Sequence, residues 1–396
     1  MIYNKKNCYL CIVMKHYIIA LLLALVVTSC GDDEPDKPDV PDAPEEVKRT
    51  VLVYMAANNS LGYVYDDRDI AEMEEAVAEG ALNGGRLLIY HADLDGTCIL
   101  SEVTEEGTVQ IKEYTDGLSS VSIAAMRNVF ADMREVAPAD DYGLVLWSHA
   151  SGWIDYGKSP EQKVSKSWGI DGSYQMSIPD LGKALEGERF SFIYFDCCFM
   201  GNIESLYEIR DAASFVVASP AETPLDGMPY DLNIKCFFEE TPDLIVAAKN
   251  TFDCYNAMSG RSRSCTMAVY DMSHIEEVAW AVHCILHDNN VPLPGYVQQQ
   301  YGTSSFRNCF FDLTYYMESL TGGDNRMDDY RSVMSKFVIY EAHTPNMSLS
   351  LPAIALNNCH GVSCYILEKS GDAVTIPGRY DDLQWWQDVI APVFGF

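Results

Sequence analysis

No Gly-x-Ser-x-Gly elbow and no His-Glu-x-x-His run occurs in the 396 residues. The first absence argues against an α/β serine hydrolase, the second against a helical zinc peptidase site. Basic residues are few: Lys and Arg total 27 against 58 Asp and Glu, a net charge of -31. Such a chain has little with which to neutralise phosphates, which excludes a nucleic-acid partner. It suits a self-repelling, soluble surface and a basic ligand. Cysteine is present thirteen times, but Cys8, Cys11 and Cys30 lie at the extreme N-terminus, and the other ten are scattered without a CxxC pair. That spacing fits neither a disulfide scaffold nor a zinc module. Several of these thiols, Cys265 and Cys364 among them, fall inside strand-like runs and read as small buried hydrophobes. No EF-hand pattern is present, so a cofactor is not required by any motif, and calcium is left open.

The longest apolar run, Tyr17 to Val27, is roughly half of the ~20 residues that a membrane-spanning helix needs. It follows Met14, a plausible start, and Lys15, and it ends in Val27-Thr28-Ser29-Cys30. A small residue before a cysteine after such a run resembles a bacterial lipoprotein signal, which implies acylation of Cys30 and removal of residues 1–29. Residues 30–49 then form an acidic linker. Pro35, Pro38, Pro41 and Pro44 recur every third residue among carboxylates, matching the turn of polyproline II, so this stretch is expected to be an extended stalk. An acidic run directly after the lipid cysteine also resembles a surface-export signal, placing the chain on the outer membrane or cell surface of a Gram-negative bacterium, facing outward.

From Thr50 onward, short apolar runs alternate with helical periodicity. Thr50–Ala57, Arg86–Ala92, Tyr142–His149, Phe190–Cys198, Ser214–Ala221 and Ser264–Met272 read as strands, and Cys98–Val103 with Thr108–Tyr114 as a hairpin around Glu105-Glu106-Gly107. Ile70, Met73, Val77 and Ala81 share one helical face, and so do Ile123, Met126, Phe130 and Met133. Strands apolar on both faces and separated by helices imply a mostly parallel α/β sheet covered on both sides. Further helices are expected near Glu276–His287 and Met327–Glu341, with a strand at Val362–Leu367 and a closing helix at Leu383–Ile390. Residues 273–396 thus read as an accessory subdomain packed against residues 50–272.

In such sheets chemistry gathers past the carboxyl ends of the strands. Two strands end in reactive residues: Leu146–Trp153 (LWSHASGW) carries His149 and Phe195–Asn202 (FDCCFMGN) carries Cys198. Taken singly, His149 fits a hydrogen-bonded turn histidine and Cys198 a core thiol. Taken together at neighbouring strand ends, they fit a thiolate nucleophile and an imidazole that assists it. A helix expected over Asn202–Arg210 would present its positive end to Cys198.

These segments resemble the catalytic blocks of clostripain-like cysteine peptidases, which have the caspase fold. VLVYMAANNSL, DIAEMEEA and VVASPAETPLDGMPY resemble other blocks of that family, so the similarity runs from about Thr50 to at least Tyr230. The resemblance implies a caspase-like catalytic domain over 50–272 and a His149/Cys198 dyad. It implies an oxyanion held by the backbone N–H groups of Cys198 and Ala150, and a pocket for the residue before the scissile bond with Asp196 at its base and Asp226 as a second wall. Two carboxylates would select Arg or Lys. Partners would therefore be proteins or peptides bearing Arg or Lys. The family also implies self-cleavage between the two catalytic strands, where loop 157–166 is polar and Lys163 is the favoured site. Two positions depart from the pattern. Ala150 stands where the family usually has glycine, which would cost roughly 1 kcal/mol if that position needs positive φ. Cys197 stands where a small residue is usual, and strand alternation sends it to the core, away from the face of Cys198. A catalytically degenerate surface protein that binds basic peptides is the alternative that Ala150 supports.

Overall fold

The computed structural model describes residues 46–154, 167–302, 306, 308–349, 352–370, 373–376 and 379–396. Cys30, the expected signal and most of the expected linker, and loop 157–166 with Lys163, lie outside them. Strand β1 (Val47–Ala56) is buried without a break from Arg49 to Ala56. Alternate side chains enter two different cores: Leu52, Tyr54 and Ala56 on one face, Val51, Val53 and Met55 on the other. The strand period of two explains why the run is continuously apolar from Val51 to Ala56: both faces are covered. The linker was expected to reach residue 49, but Val47–Arg49 already belong to β1. Arg49 is buried and forks onto Asp141 at 2.6 and 2.8 Å, with further bonds to the carbonyls of Phe237 and Glu239. A guanidinium satisfied this fully is an internal tie between strand and loop, not part of a stalk.

Strand β1 pairs in parallel with β2 (Arg86–Ala92) and β5 (Ala139–Trp147). Beyond β5, the parallel set continues with β8 (Phe190–Asp196) and β9 (Ala213–Ala218). The margins of the nine-stranded sheet are antiparallel. On one side stand β3 (Cys98–Thr104) and β4 (Gly107–Glu113), the expected hairpin. On the other stand β10 (Thr266–Asp271) and β12 (Val338–His343). Four two-stranded pieces lie off the sheet among the described residues, including the hairpin β6 (Trp168–Asp171) with β7 (Tyr174–Met176), and β11 (Phe311–Asp312), which pairs with Ser363–Cys364.

Helices cover both faces. Met126, Val129, Phe130 and Met133 of the Ile123–Val136 helix pack into one core, and Met73, Ala76 and Val77 of the Tyr65–Ala78 helix into the other. Ser122 caps the first of these helices through Ala125 N–H, an N-cap of the usual kind. The region after residue 272 is part of the same compact unit and contributes β12 to the main sheet. The helix expected over Met327–Glu341 stops at Phe337. The sequence Val338-Ile339-Tyr340 that follows is β-branched and aromatic, and pairing with β10 takes it into the sheet. The strand expected over Val362–Leu367 shrinks to Ser363–Cys364. Among the described residues no helix is long and apolar enough to cross a membrane.

Candidate active site

The carboxyl ends of β1, β2, β5, β8 and β9 all open onto one edge of the sheet, as parallel pairing requires. In the β5–β8 register Trp147 stands beside Asp196. His149 and Cys198 each lie two residues further on, abreast at that edge, and both are half-buried. His149 Nε2 is 2.8 Å from Ser60 Oγ. Ser60 opens a short turn, Ser60–Tyr63, capped by Asn59, whose side chain accepts Leu61 N–H and donates to the carbonyls of Ala56 and Ile170. Ser148 donates to Ala56 O at 2.8 Å and accepts Ile170 N–H at 3.1 Å. The ends of β1, β5 and β6 are thereby knotted around the imidazole.

The thiol side is held from the opposite flank. Cys198 Sγ accepts Thr223 N–H at 3.3 Å, and Thr223 Oγ1 donates to Cys197 O at 3.0 Å. Cys197 is buried in the core and burial pushes its thiol well up, which keeps it a protonated, unreactive thiol. Phe199, immediately after Cys198, has φ +60°. A bulky residue in the left-handed region carries strain of order 1–3 kcal/mol. Packing holds it there: its ring stacks on Phe310 at 4.4 Å, and its N–H donates to Ala221 O. The helix expected over Asn202–Arg210 is shorter, Ile203–Glu208, and Asn202 is its cap through Ser205 N–H.

Ala150 is absent from the residues with positive φ; Gly152, two positions on, holds φ +59°. The anticipated cost of alanine therefore does not arise, and the support it lent to a degenerate site falls away. Gly152 is where the left-handed turn sits, and a Cβ there would meet Asn202 Nδ2 at 2.6 Å and Phe199 O at 2.7 Å. Ala150 bridges Trp168, with Ser151 N–H bonded to Ser167 O and Gly169 N–H to His149 O. In that antiparallel pattern the N–H of Ala150 itself points away from β6.

Asp196 is 6% exposed and accepts Met228 N–H at 3.2 Å and Tyr230 O–H at 3.1 Å. Gly227 allows this approach, because a Cβ there would lie 2.7 Å from Asp196 Oδ2. Three residues not anticipated from the sequence join it. Asp69 is fully buried and accepts Trp147 Nε1–H at 2.7 Å. Glu72 accepts Tyr230 N–H at 3.0 Å. Arg68 donates to Asp226 Oδ1 at 2.6 Å and to its carbonyl at 3.1 Å, and lies 3.9 Å from both Asp69 and Glu72. Asp226 is thus not an open wall; it is exposed and already engaged by a guanidinium. Burial raises Asp196, against the pull of Met228 N–H and Tyr230 O–H. Burial also raises Asp69, and the charge of Asp196 adds to it. Burial works against the charge of Arg68, but the bond to Asp226 and the charges of Asp226, Asp69 and Glu72 together outweigh it and its pKa rises. Asp69 and Glu72 are spaced i, i+3 and share a helix face. That spacing was the available signal, but the apolar stripe of the same helix dominated its reading.

The clostripain family model matches residues 53–344. No curated protein matches. Among solved structures, an inactive zymogen C11 protease from Parabacteroides distasonis is 26% identical, with TM-score 0.74 over 87% of this chain and 99% of that one. A secreted C11 cysteine protease from Bacteroides thetaiotaomicron, solved with an irreversible peptide inhibitor, is 28% identical, with TM-score 0.73 over 86% of this chain and 98% of that one. Caspase-like architecture and family coverage agree: this chain belongs to the clostripain family and is a cysteine peptidase.

Proposed function

We propose that the chain is an endopeptidase that cuts after Arg or Lys outside the cell, with Cys198 as nucleophile and His149 as its proton-transfer partner. The Cys198 thiolate attacks the scissile carbonyl, and the oxyanion is bound by the N–H groups of Cys198 and Ala150. His149 protonates the leaving amine, and water then hydrolyses the thioester to release the acid and restore the thiol. The observation that carries the specificity is Arg68: a guanidinium of the chain's own already sits among Asp226, Asp69 and Glu72, and the charge of buried Asp196 acts on Asp69. Carboxylates that hold one guanidinium suit another. The secreted relative supports action outside the cell and the zymogen relative supports activation by processing; the lipid attachment at Cys30 and self-cleavage at Lys163 rest on the sequence alone.

The test is a panel of fluorogenic peptides ending in Arg, Lys, Ala or Asp, run beside a Cys198→Ala control. Cleavage after Arg and Lys that vanishes in the control is the expected result. Cleavage after Ala or Asp would keep the peptidase and sink the acidic pocket. Cleavage that survives in C198A would remove Cys198 as nucleophile.

A further inference from the structure

At the carboxyl end of β2, outside the residues assigned above to catalysis and specificity, a second group of side chains converges. One ligating atom each from Asp66, His91 and Asp93 lie within 4.8 Å of one another. His91 Nε2 is 2.9 Å from Asp66 Oδ2. Asp66 is 1% exposed, and its other oxygen, Oδ1, is buried with no hydrogen-bond partner among the described residues. A buried carboxylate oxygen with no donor is unfavourable unless something electropositive is to satisfy it. Asp93 is fixed from its own backbone: its Oδ1 accepts Leu94 N–H at 2.5 Å, and its N–H donates to Thr97 O at 2.9 Å.

We propose that Asp66, His91 and Asp93 form a binding site for one divalent transition cation of the zinc class. The donor set is two carboxylates and one imidazole, a mixed oxygen and nitrogen set that suits zinc and its neighbours. A calcium ion wants roughly 6–8 oxygens and finds too few here. Metal bonds of ~2.1 Å in a tetrahedral site put ligand atoms ~3.4 Å apart. The 2.9 Å Asp66–His91 contact is shorter than that, so loading needs this contact to open slightly, and the 4.8 Å that encloses all three ligand atoms leaves room for it. A fourth position is left for water. An occupied site links the end of β2 to the first turn of the Tyr65–Ala78 helix, and the connection between β1 and that helix carries Ser60, the partner of His149.

The experiment titrates Zn2+ into the full chain carrying Cys198→Ala, which removes the candidate nucleophile as a competing ligand. A chromophoric chelator reports the affinity, and melting temperature is followed in parallel. One tight equivalent and a rise in melting temperature are expected. His91→Gln keeps a donor toward Asp66 but removes the imidazole. This variant and Asp93→Asn are each expected to weaken zinc at least tenfold and abolish the melting shift, while the metal-free melting temperature stays put. Zinc affinity unchanged in both variants, or no zinc bound at all, overturns the site. Calcium binding at the same residues with no zinc would also overturn it. None of these readouts depends on peptidase activity.

Discussion

At the residue scale, the strained backbone lies beside the thiol and not beside the histidine. Phe199 pays its conformational cost next to Cys198, and Gly152 supplies the left-handed turn two residues after Ala150. Ala150→Gly is therefore expected to leave peptide cleavage unchanged and to lose about 0.5–1 kcal/mol of stability through backbone entropy. Gly152→Ala is expected to lose more, ~1–2 kcal/mol from positive φ alone, with the contacts to Asn202 and Phe199 added. Urea unfolding of both variants measures the difference. Arg68 carries the sharpest residue-scale expectation. Removing it in Arg68→Ala frees Asp226 and Glu72, so KM for Arg-ending peptides should fall several-fold with kcat little changed. A rise in KM would mean that Arg68 shapes the pocket and does not compete for it. Asp196 and Asp69 are both raised by burial, so they ionise only as pH rises. The ratio of kcat/KM for an Arg peptide to that for its uncharged citrulline counterpart should therefore climb with pH, because thiol ionisation cancels in the ratio. The candidates Cys198 and His149 were legible in the sequence because each closely follows an apolar strand, and Asp196 through the family resemblance and its place two residues before Cys198. Arg68, Asp69 and Glu72 were not, because charged residues on a surface helix look like solvation until the sheet brings Asp196 against them.

Among the elements, boundaries were readable where patterns were long. The Ile123–Val136 helix and the hairpin β3–β4 stand where periodicity and turn residues put them. Short pieces were not: Ile203–Glu208 and Ser363–Cys364 are fixed by contacts distant in sequence. Glu204 shows how. It is buried in the short helix and accepts Tyr365 N–H at 2.8 Å and Tyr380 O–H at 2.9 Å, while Oε2 has no hydrogen-bond partner among the described residues. One side chain thus ties the last segments of the chain to the helix that follows Cys198. Burial raises its pKa to about 7, against ~4.3 for an unfolded glutamate. Between those values the folded chain holds a proton that the unfolded chain has lost, so this group's contribution to stability falls as pH rises from about 4.3 to 7. Glu204→Gln keeps the acceptor and removes the titration. Its unfolding free energy should exceed that of the parent above pH 7 and converge with it below pH 4. A parallel offset at every pH would assign the effect to packing and not to the proton.

For the whole molecule, net charge and peptidase chemistry fit together. A chain with net charge -31 attracts basic peptides before any pocket is reached, and the association rate should fall as salt is added. Initial rates on Arg peptides between low and high ionic strength check this; the effect belongs to kcat/KM and should spare kcat. The sheet also sets the order in which the molecule can be completed. Strand β1 is first in the chain yet central in the sheet, flanked by β2 and by β5, with Val47 facing Ala139. Until synthesis or translocation has delivered β5, one edge of a strand that is apolar from Val51 to Ala56 has no neighbour. Closing a loop of that length is slow compared with local helix formation. A truncated or stalled product ending before Ala139 is thus an aggregation-prone strand with an open edge, and the intact chain should refold on the slow side for its size.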